Sequence, residues 1–342
     1  MVLEIPLRLI AVLLPPLLIF VCLATHPGLA VELALWLGWL ALALAMDALT
    51  PRVTASPGPG SGAALLLCLL AIILQAAMLA AALWLAAAVA LDPGRLAAIA
   101  AMLGLSAGTI GISAAHELVH RRSPALRGVA QAFMLLVCYP HFPIVHLRVH
   151  HPHVGTALDP GTSRLNESLG RFLGRAYPLS WRSAWRVEAA RLAVKKRPWR
   201  HWRNRLIRVV VLQAIVIAAV LSAFGPRGLA LFVAQSAVAM LLTFTIDYTQ
   251  HYGVVRREAA PGRLERLRPW HGWTADRASN RSIFNLGLHA AHHLTPALGH
   301  EGLDNPEGSL QAPCGYPGLV LLALVPPLWR RVMNPRLAVA HG

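Results

Sequence analysis

Charged side chains are scarce in this chain, and long stretches have none. Only 13% of the 342 residues are charged and 56% are hydrophobic, whereas soluble domains carry about 25% charged residues. Residues 53–91 contain no charged side chain at all. This composition excludes an ordinary soluble globule and indicates a protein embedded in a membrane.

Cysteine is also scarce. Four cysteines lie scattered in mostly apolar stretches, with no C-x-x-C pair: Cys22, Cys68, Cys138 and Cys314. This spacing argues against a disulfide framework, a zinc ribbon or a four-cysteine iron site within the chain. We interpret all four residues as small buried hydrophobic side chains.

The charge that is present has mainly one sign. Lysine and arginine number 31 against 15 acids, so the net charge is +16. The densest basic segment, residues 181–208, has ten basic residues and one acid, Glu188. In so apolar a chain, this excess indicates basic cytoplasmic segments of a polytopic membrane protein and argues against a nucleic-acid partner.

Hydropathy predicts an all-α polytopic membrane protein with about six transmembrane helices, each long enough to cross a core roughly 30 Å thick. The predicted spans are residues 9–24, 29–46, 63–91, 96–115, 206–224 and 229–246. The last two form a hairpin with its turn at Gly225-Pro226-Arg227-Gly228. Prolines interrupt an apolar run at residues 128–145, which we interpret as an interfacial or re-entrant segment.

The number of spans predicts on which side of the membrane the other segments lie. Four spans return the chain to the side of its N-terminus, and the hairpin leaves that side and returns to it. The basic segment is on this side, which the positive-inside rule makes cytoplasmic. We expect one integrated domain, residues 1–342, in a bacterial-type inner membrane. A cytoplasmic, helical, histidine-rich cap is predicted for residues 116–205 and 247–342.

Histidine is the residue present in excess. Sixteen histidines occur, and 13 of them lie from His116 to His293. They form four clusters: His116-x-x-x-His120, His146-x-x-x-His150-His151, His251 after Asp247-Tyr248, and His289-x-x-His292-His293. Spacings of three and four place imidazoles on one face of a helix, where they can reach a common ion.

The number of clustered histidines favours two metal ions over one. His116-Glu117-x-x-His120 alone matches the zinc-protease pattern H-E-x-x-H, but a bare match is weak. A catalytic zinc takes three protein ligands, and at least eight histidines are clustered here. Imidazole ligands do not by themselves distinguish iron from zinc, copper or nickel.

The motifs resemble those of the integral-membrane alkane monooxygenase family, a branch of the fatty-acid desaturase and hydroxylase superfamily. The resemblance rests on the four histidine clusters, on the sequence from Asp247 to Val254, and on a proline-rich stretch from Gly315 to Trp329. It covers roughly residues 40–336. It implies an oxidoreductase that uses O2 to hydroxylate a terminal C–H bond of a medium-chain alkane or related hydrophobic substrate.

The resemblance also implies ligands, cofactor and partners, with no catalytic residue beyond the ligands. Two iron ions would be held by nine histidines: His116, His120, His146, His150, His151, His251, His289, His292 and His293. Electrons would come from a rubredoxin or ferredoxin with its reductase, as a separate protein because no C-x-x-C pair occurs here. The substrate would enter from the lipid bilayer.

Three acids of the family pattern are missing beside the predicted ligands. Val145, Gln250 and Ala291 stand where the family has glutamate or aspartate, so groups that orient ligand imidazoles are lost. The remaining candidates for hydrogen bonds to the ligands are Glu117, Asp159, Asp247 and Gln250.

Other residues have less defined roles at this stage. Three tryptophans in spans two and three are candidate walls of a substrate pocket, with anchoring at the membrane interface as the alternative: Trp36, Trp39 and Trp84. Three histidines near the clusters carry no assigned role: His141, His153 and His271. We expect none for His201 and His300.

Alternative functions remain open from the residues alone. A di-iron lipid desaturase or fatty-acid decarboxylase would keep the same metal centre. A zinc membrane protease would use His116, Glu117 and His120, hold one zinc ion, and not need His289 or His293. Metal transport through a histidine relay would require ionisable side chains inside the spans, and residues 53–91 have none.

Overall fold

The computed structural model describes residues 4–25, 28–50 and 61–341, and in these ranges the chain is predominantly helical. The helices are α1 (Glu4–Thr25), α2 (Leu29–Leu49), α3 (Ser61–Ala88), α4 (Pro93–Val119), α5 (Pro124–Leu136), α6 (Phe142–Val145, His146–His150 and His151–His153), α7 (Leu169–Ala193), α8 (Arg205–His251), α9 (His289–Leu294), α10 (Tyr316–Ala323) and α11 (Pro326–His341). Two strand pairs accompany them: β1 (Glu258–Ala260) with β2 (Arg263–Leu264), antiparallel, and β3 (Trp273–Thr274) with β4 (Leu310–Gln311), parallel. The predicted all-α class is confirmed.

Five helices in the described ranges are long and apolar enough to cross a membrane: α1 from Leu7, α2, α3, α4 and α8. Large apolar side chains cover their outer surfaces, as expected for helices that face lipid. Leu37 of α2 is 66% exposed and Ile73 of α3 is 63% exposed. The chain is therefore a multi-pass membrane protein, and its predicted fifth and sixth spans belong to the single 47-residue element α8.

Helix α8 folds back on itself at Gly225. This residue has φ 65° and ψ −171°, a conformation that is not helical. On either side of it, Gln213 donates to the backbone oxygen of Leu135 at 3.1 Å, and Gln235 donates to that of Leu136 at 2.8 Å. In a straight helix these glutamines would be about 33 Å apart, yet they reach adjacent carbonyl groups. The two halves of α8 are thus antiparallel, as the predicted hairpin requires.

Polar side chains cap the helices that lead to the histidine clusters. Asp92 accepts from the backbone N–H of Arg95 before α4, and Asn204 accepts from those of Leu206 and Ile207 before α8. Such caps satisfy N–H groups that have no partner within the helix. They fix where α4 and α8 begin, and both helices end on clustered histidines.

Two short segments are π-helical: Ala107–Gly111 within α4 and His146–His150 within α6. π-Helical turns are rare and occur mostly at functional sites. At the first, Gly111 leaves room for the ring of Phe133, whose Cζ would lie only 2.3 Å from a Cβ at this position. The predicted interfacial run, residues 128–145, is broken between α5 and α6. Helix α5 has 13 residues and is too short to cross a membrane.

The break at Gly225 allows a direct test of the hairpin. A Cβ at Gly225 would meet nothing within 4 Å, so Gly225→Ala should cost only the backbone strain of a conformation suited to glycine, about 1–3 kcal/mol. Gly174 of α7 is also unobstructed but helical, so Gly174→Ala should instead stabilise by about 1 kcal/mol. Thermal unfolding in detergent measures both. A rise in Tm for Gly225→Ala would contradict the hairpin.

Candidate metal centre

The structure brings all nine predicted ligand histidines together in two groups. We call them the five-histidine group (His116, His120, His146, His151 and His292) and the four-histidine group (His150, His251, His289 and His293). In each group, one ring nitrogen from every histidine lies within 4.8 Å of the others. Among the described residues, neither group includes a carboxylate.

The ring nitrogens of the five-histidine group converge around His146. Its Nε2 lies 2.8 Å from Nε2 of His120 and 3.0 Å from Nε2 of His151. His292 approaches His151 at 3.2 Å between their Nε2 atoms. Nε2 of His116 is buried and has no hydrogen-bond partner. These nitrogens face a common centre.

In the four-histidine group, three Nε2 atoms form a triangle. The distances are 2.8 Å between His251 and His289, 2.9 Å between His289 and His293, and 3.3 Å between His251 and His293. A neutral imidazole has a single N–H. If the N–H groups of these three rings point away from the triangle, all three Nε2 atoms are acceptors. They then cannot form hydrogen bonds with one another.

Two histidines of the four-histidine group, His251 and His150, have outer nitrogens whose contacts fix the direction of their N–H groups. Nδ1 of His251 lies 2.9 Å from the backbone oxygen of Asp247, and Nδ1 of His150 lies 2.9 Å from Oδ2 of Asp159. Both oxygens are acceptors, so each Nδ1 is the donor and each Nε2 presents its lone pair to the centre. This is the arrangement of metal-binding histidines, whose outer nitrogen donates to a carbonyl or carboxylate.

The two groups are adjacent because neighbouring residues are divided between them. His150 and His151 belong to different groups, as do His292 and His293, and the rings of His151 and His293 are 4.7 Å apart. The π-helical turn of α6 places His146 beside His151, five residues later. The site can therefore hold two neighbouring metal ions.

Burial keeps most of these imidazoles neutral. Outside the spanning helices, it lowers the pKa of five histidines well below the ordinary value and that of His120 to about 4: the five are His146, His151, His289, His292 and His293. Neutral imidazole is the form that binds a metal. These six histidines can thus bind a metal ion without first losing a proton.

His150 and Asp159 form a buried pair with opposite shifts. Burial alone lowers the pKa of His150, but the Asp159 carboxylate raises it to a value above the ordinary one. Burial alone raises the pKa of Asp159, but His150 and a hydrogen bond from Thr162 bring it below the ordinary value. The carboxylate also accepts from the backbone N–H of Gly161 at 2.9 Å. Asp159 is held as an anion that orients His150.

The other side chains expected to contact the ligands are placed differently. The Glu117 carboxylate accepts a hydrogen bond from the Arg121 guanidinium at 2.6 Å. The two residues are four apart in the sequence, a spacing that brings side chains together at a helix end. Gln250 donates to the Tyr316 hydroxyl at 2.7 Å. Asp247 contacts His251 through its backbone oxygen and not through its carboxylate. Among the described residues, no hydrogen bond joins the side chain of Glu117, Gln250 or Asp247 to a ligand histidine, and the role of these side chains beside the ligands stays a prediction.

The predicted pocket tryptophans do not line the apolar cavity found between α3, α4, α5 and α8. Gln75, Leu103, Phe133 and Gln235 are among the residues that line it, beside the π-helical turn of α4. Trp84 is 65% exposed on the outside of α3. Trp36 and Trp39 are half-buried on α2. A role of the three tryptophans as walls of a substrate pocket stays a prediction.

Three further histidines lie outside both groups. His141 is fully buried, with its Nε2 2.9 Å from the Ser180 hydroxyl and its ring against Trp181. Nδ1 of His153 lies 2.9 Å from the backbone oxygen of Val149. His271 is buried and accepts from the backbone N–H of Arg268. Sequence spacing gave no signal for the contact between His141 and Ser180.

Comparison with known protein families agrees with this geometry. Residues 92–305 match the family model described as fatty acid desaturase. The match begins before α4 and ends after α9, so it includes all nine clustered histidines.

Named relatives are similar over about 70% of this chain. Alkane 1-monooxygenase 2 of Pseudomonas aeruginosa is 38% identical over 241 residues, which are 70% of this chain and 64% of that protein. Alkane 1-monooxygenase of Pseudomonas putida is 33% identical over 240 residues, 70% of this chain and 60% of that protein. The xylene/toluene monooxygenase hydroxylase component of Pseudomonas putida is 28% identical over 244 residues, 70% and 63% of the two chains. The chain thus spans less than two thirds of the length of these relatives.

The contact between Asp159 and His150 predicts an uneven loss of metal. Asp159→Asn keeps the shape but loses the anion, so metal affinity of the four-histidine group should fall by roughly tenfold to hundredfold. The five-histidine group should keep its metal. Metal content during titration with a chelator measures this, and the exposed Asp304→Asn is the control. Equal affinity in Asp159→Asn and the wild type would contradict the orienting role.

Proposed function

The chain belongs to the fatty acid desaturase family, and from this membership we propose that it is a membrane-bound di-iron monooxygenase. Its proposed reaction is hydroxylation of a terminal C–H bond in a medium-chain alkane or a related hydrophobic molecule. The similarity to three alkane and aromatic-hydrocarbon monooxygenases supports this reaction class. All nine clustered histidines lie within the matched segment.

One observation carries the proposal: two adjacent groups of inward-facing imidazole nitrogens without a carboxylate among the described residues. Imidazole suits iron as well as zinc or copper, and the relatives favour iron. We assign one iron ion to each group, with all nine histidines as ligands. When bound, the irons supply the activation of O2 that insertion of oxygen into a C–H bond requires.

The surrounding residues keep this centre apolar. The Phe142 ring is stacked on His146, with 4.9 Å between ring centroids. Leu118 and Val119, which lie between His116 and His120 in the sequence, are buried. Exclusion of water strengthens electrostatic interactions and suppresses side reactions. We propose that the substrate enters from the bilayer, between the spanning helices, whose outer surfaces are apolar.

The electron donor is proposed to dock at the basic segment 181–208. Arg182, Arg186 and Arg200 are exposed there, which suits an acidic redox protein. We propose a rubredoxin or ferredoxin, reduced by its own reductase. By the positive-inside rule this segment, the N-terminus and the metal centre lie on the cytoplasmic side of a bacterial inner membrane.

Two alternative functions were open from the sequence, and the structure argues against one of them. A di-iron lipid desaturase or fatty-acid decarboxylase is the second candidate, because Val145, Gln250 and Ala291 leave the ligands without three acids of the monooxygenase pattern. A zinc protease would need the Glu117 carboxylate to activate water at His116 and His120. That carboxylate instead pairs with Arg121, which argues against the protease.

Turnover of octane tests the proposed reaction. The iron-loaded protein, given O2 and a reduced rubredoxin or ferredoxin, should yield 1-octanol, and His293→Ala should abolish the product because the four-histidine group loses a nitrogen. His153→Gln is the control, since His153 belongs to neither group. Gas chromatography identifies the product. Formation of 1-octene without 1-octanol would favour the second candidate, and activity retained in His293→Ala would contradict the ligand assignment.

A further inference from the structure

A third cluster of metal-ligating side chains lies beside the histidine groups and belongs to neither. Glu117, at the end of α4, meets His300 and Glu301 of the short 3-10 turn His300–Gly302. Each of the three side chains offers one atom within 4.8 Å of the other two. Glu117 is 7% exposed and His300 is 1% exposed. Two of the three members are therefore buried, and the cluster offers both nitrogen and oxygen donors.

The ring of His300 is the second, independent observation. Nδ1 lies 3.6 Å from Oε2 of Glu301 and 3.9 Å from Oε2 of Glu117, which is too long for hydrogen bonds. Neither ring nitrogen has a hydrogen-bond partner, and neither does Oε2 of Glu301. Around a tetrahedral zinc ion, nitrogen and oxygen ligands are roughly 3.3 Å apart, as bond lengths near 2.0–2.1 Å require. The observed separations of 3.6 Å and 3.9 Å are somewhat longer than that value.

The charges of the cluster also favour a cation. Arg121 donates to Oε1 of Glu117 at 2.6 Å and lies 3.5 Å from Oε2 of Glu301. Two carboxylates face one guanidinium, and Oε2 of Glu301 has no hydrogen-bond partner. A buried charge without a partner is unfavourable. Because Arg121 occupies Oε1 of Glu117, Oε2 of that carboxylate remains directed toward His300.

We propose that Glu117, His300 and Glu301 bind one divalent cation of the zinc type, separate from the nine-histidine centre. One imidazole and two carboxylates provide three zinc ligands and leave a position for water. The side chains of Glu301 and Arg121 are 14% and 22% exposed, which gives the ion a route in. Gly299 keeps the backbone clear of the site, since a Cβ there would lie 2.5 Å from Oε2 of Glu301.

An ion bound at this site would connect two parts of the chain and stabilise the contact between them. The ion links the turn at His300 to the end of α4, next to His116 in the sequence. Zinc should therefore raise the Tm of the iron-loaded wild type and leave that of His300→Ala unchanged.

Equilibrium dialysis of the iron-loaded full chain against zinc chloride tests the site, with zinc and iron both counted. The wild type should bind one zinc ion more than His300→Ala, without loss of iron. Glu301→Gln should weaken zinc binding by roughly tenfold to hundredfold, and its unchanged iron content reports that it folds. His201→Ala, in a distant segment, should bind zinc like the wild type. Zinc K-edge absorption should show one imidazole nitrogen among oxygen ligands.

Arg121→Gln gives a result of opposite sign. Removal of a positive charge close to the ion should tighten zinc binding by about tenfold or more, because like charges about 4 Å apart repel strongly near a protein surface. A merely structural cluster would not bind zinc in any variant. The proposal is overturned if zinc displaces iron one for one, or if His300→Ala and the wild type bind equal zinc. The numbers of zinc and iron ions bound per chain are measured without any hydroxylation assay. A failure of the proposed hydroxylation would therefore leave the test of the zinc site valid.

Discussion

The structure depends on one constraint: nine imidazoles must direct ring nitrogens toward one another inside an apolar protein. Nε2 atoms separated by 2.8–3.3 Å, as in the triangle of His251, His289 and His293, cannot all be satisfied by hydrogen bonds among themselves. Unsatisfied buried polar atoms cost about 1–3 kcal/mol each. A metal ion accepts several lone pairs at once and removes this cost. The metal is in this sense part of the fold as well as part of the chemistry.

The helical framework serves the same constraint. α4 and α8 deliver His116 and His251 from the spanning bundle, while α6 and α9 contribute histidines to both groups. Gln213 and Gln235 join the two halves of α8 to α5 through its last carbonyl groups. Hydrogen bonds of this kind satisfy polar groups at depths where water is absent. They hold the end of α8, and with it His251, against the rest of the centre.

Sequence reasoning found the fold class, the apolar runs and the nine histidines, because hydropathy and spacings of three and four are local signals. It did not divide the histidines between groups. That division depends on the π-helical turn at His146–His150, which pairs His146 with His151, and such a turn has no signature in the spacing.

Sequence reasoning also could not choose among the acids. Asp159 and Glu117 both lie near ligands in the sequence, but only the three-dimensional arrangement shows that Glu117 pairs with Arg121. The sequence around His300 gave no signal of a metal site, because Glu117 lies far earlier in the chain and only the fold brings the two residues together.

The division into two histidine groups is the central claim, and the most direct test is metal content with iron K-edge absorption of the purified protein. The account predicts two iron ions per chain, one for each group, with imidazole nitrogen as the protein ligand. His120→Ala and His289→Ala should each weaken a different iron, the first in the five-histidine group and the second in the four-histidine group. A single zinc ion per chain, with no iron, would contradict the account.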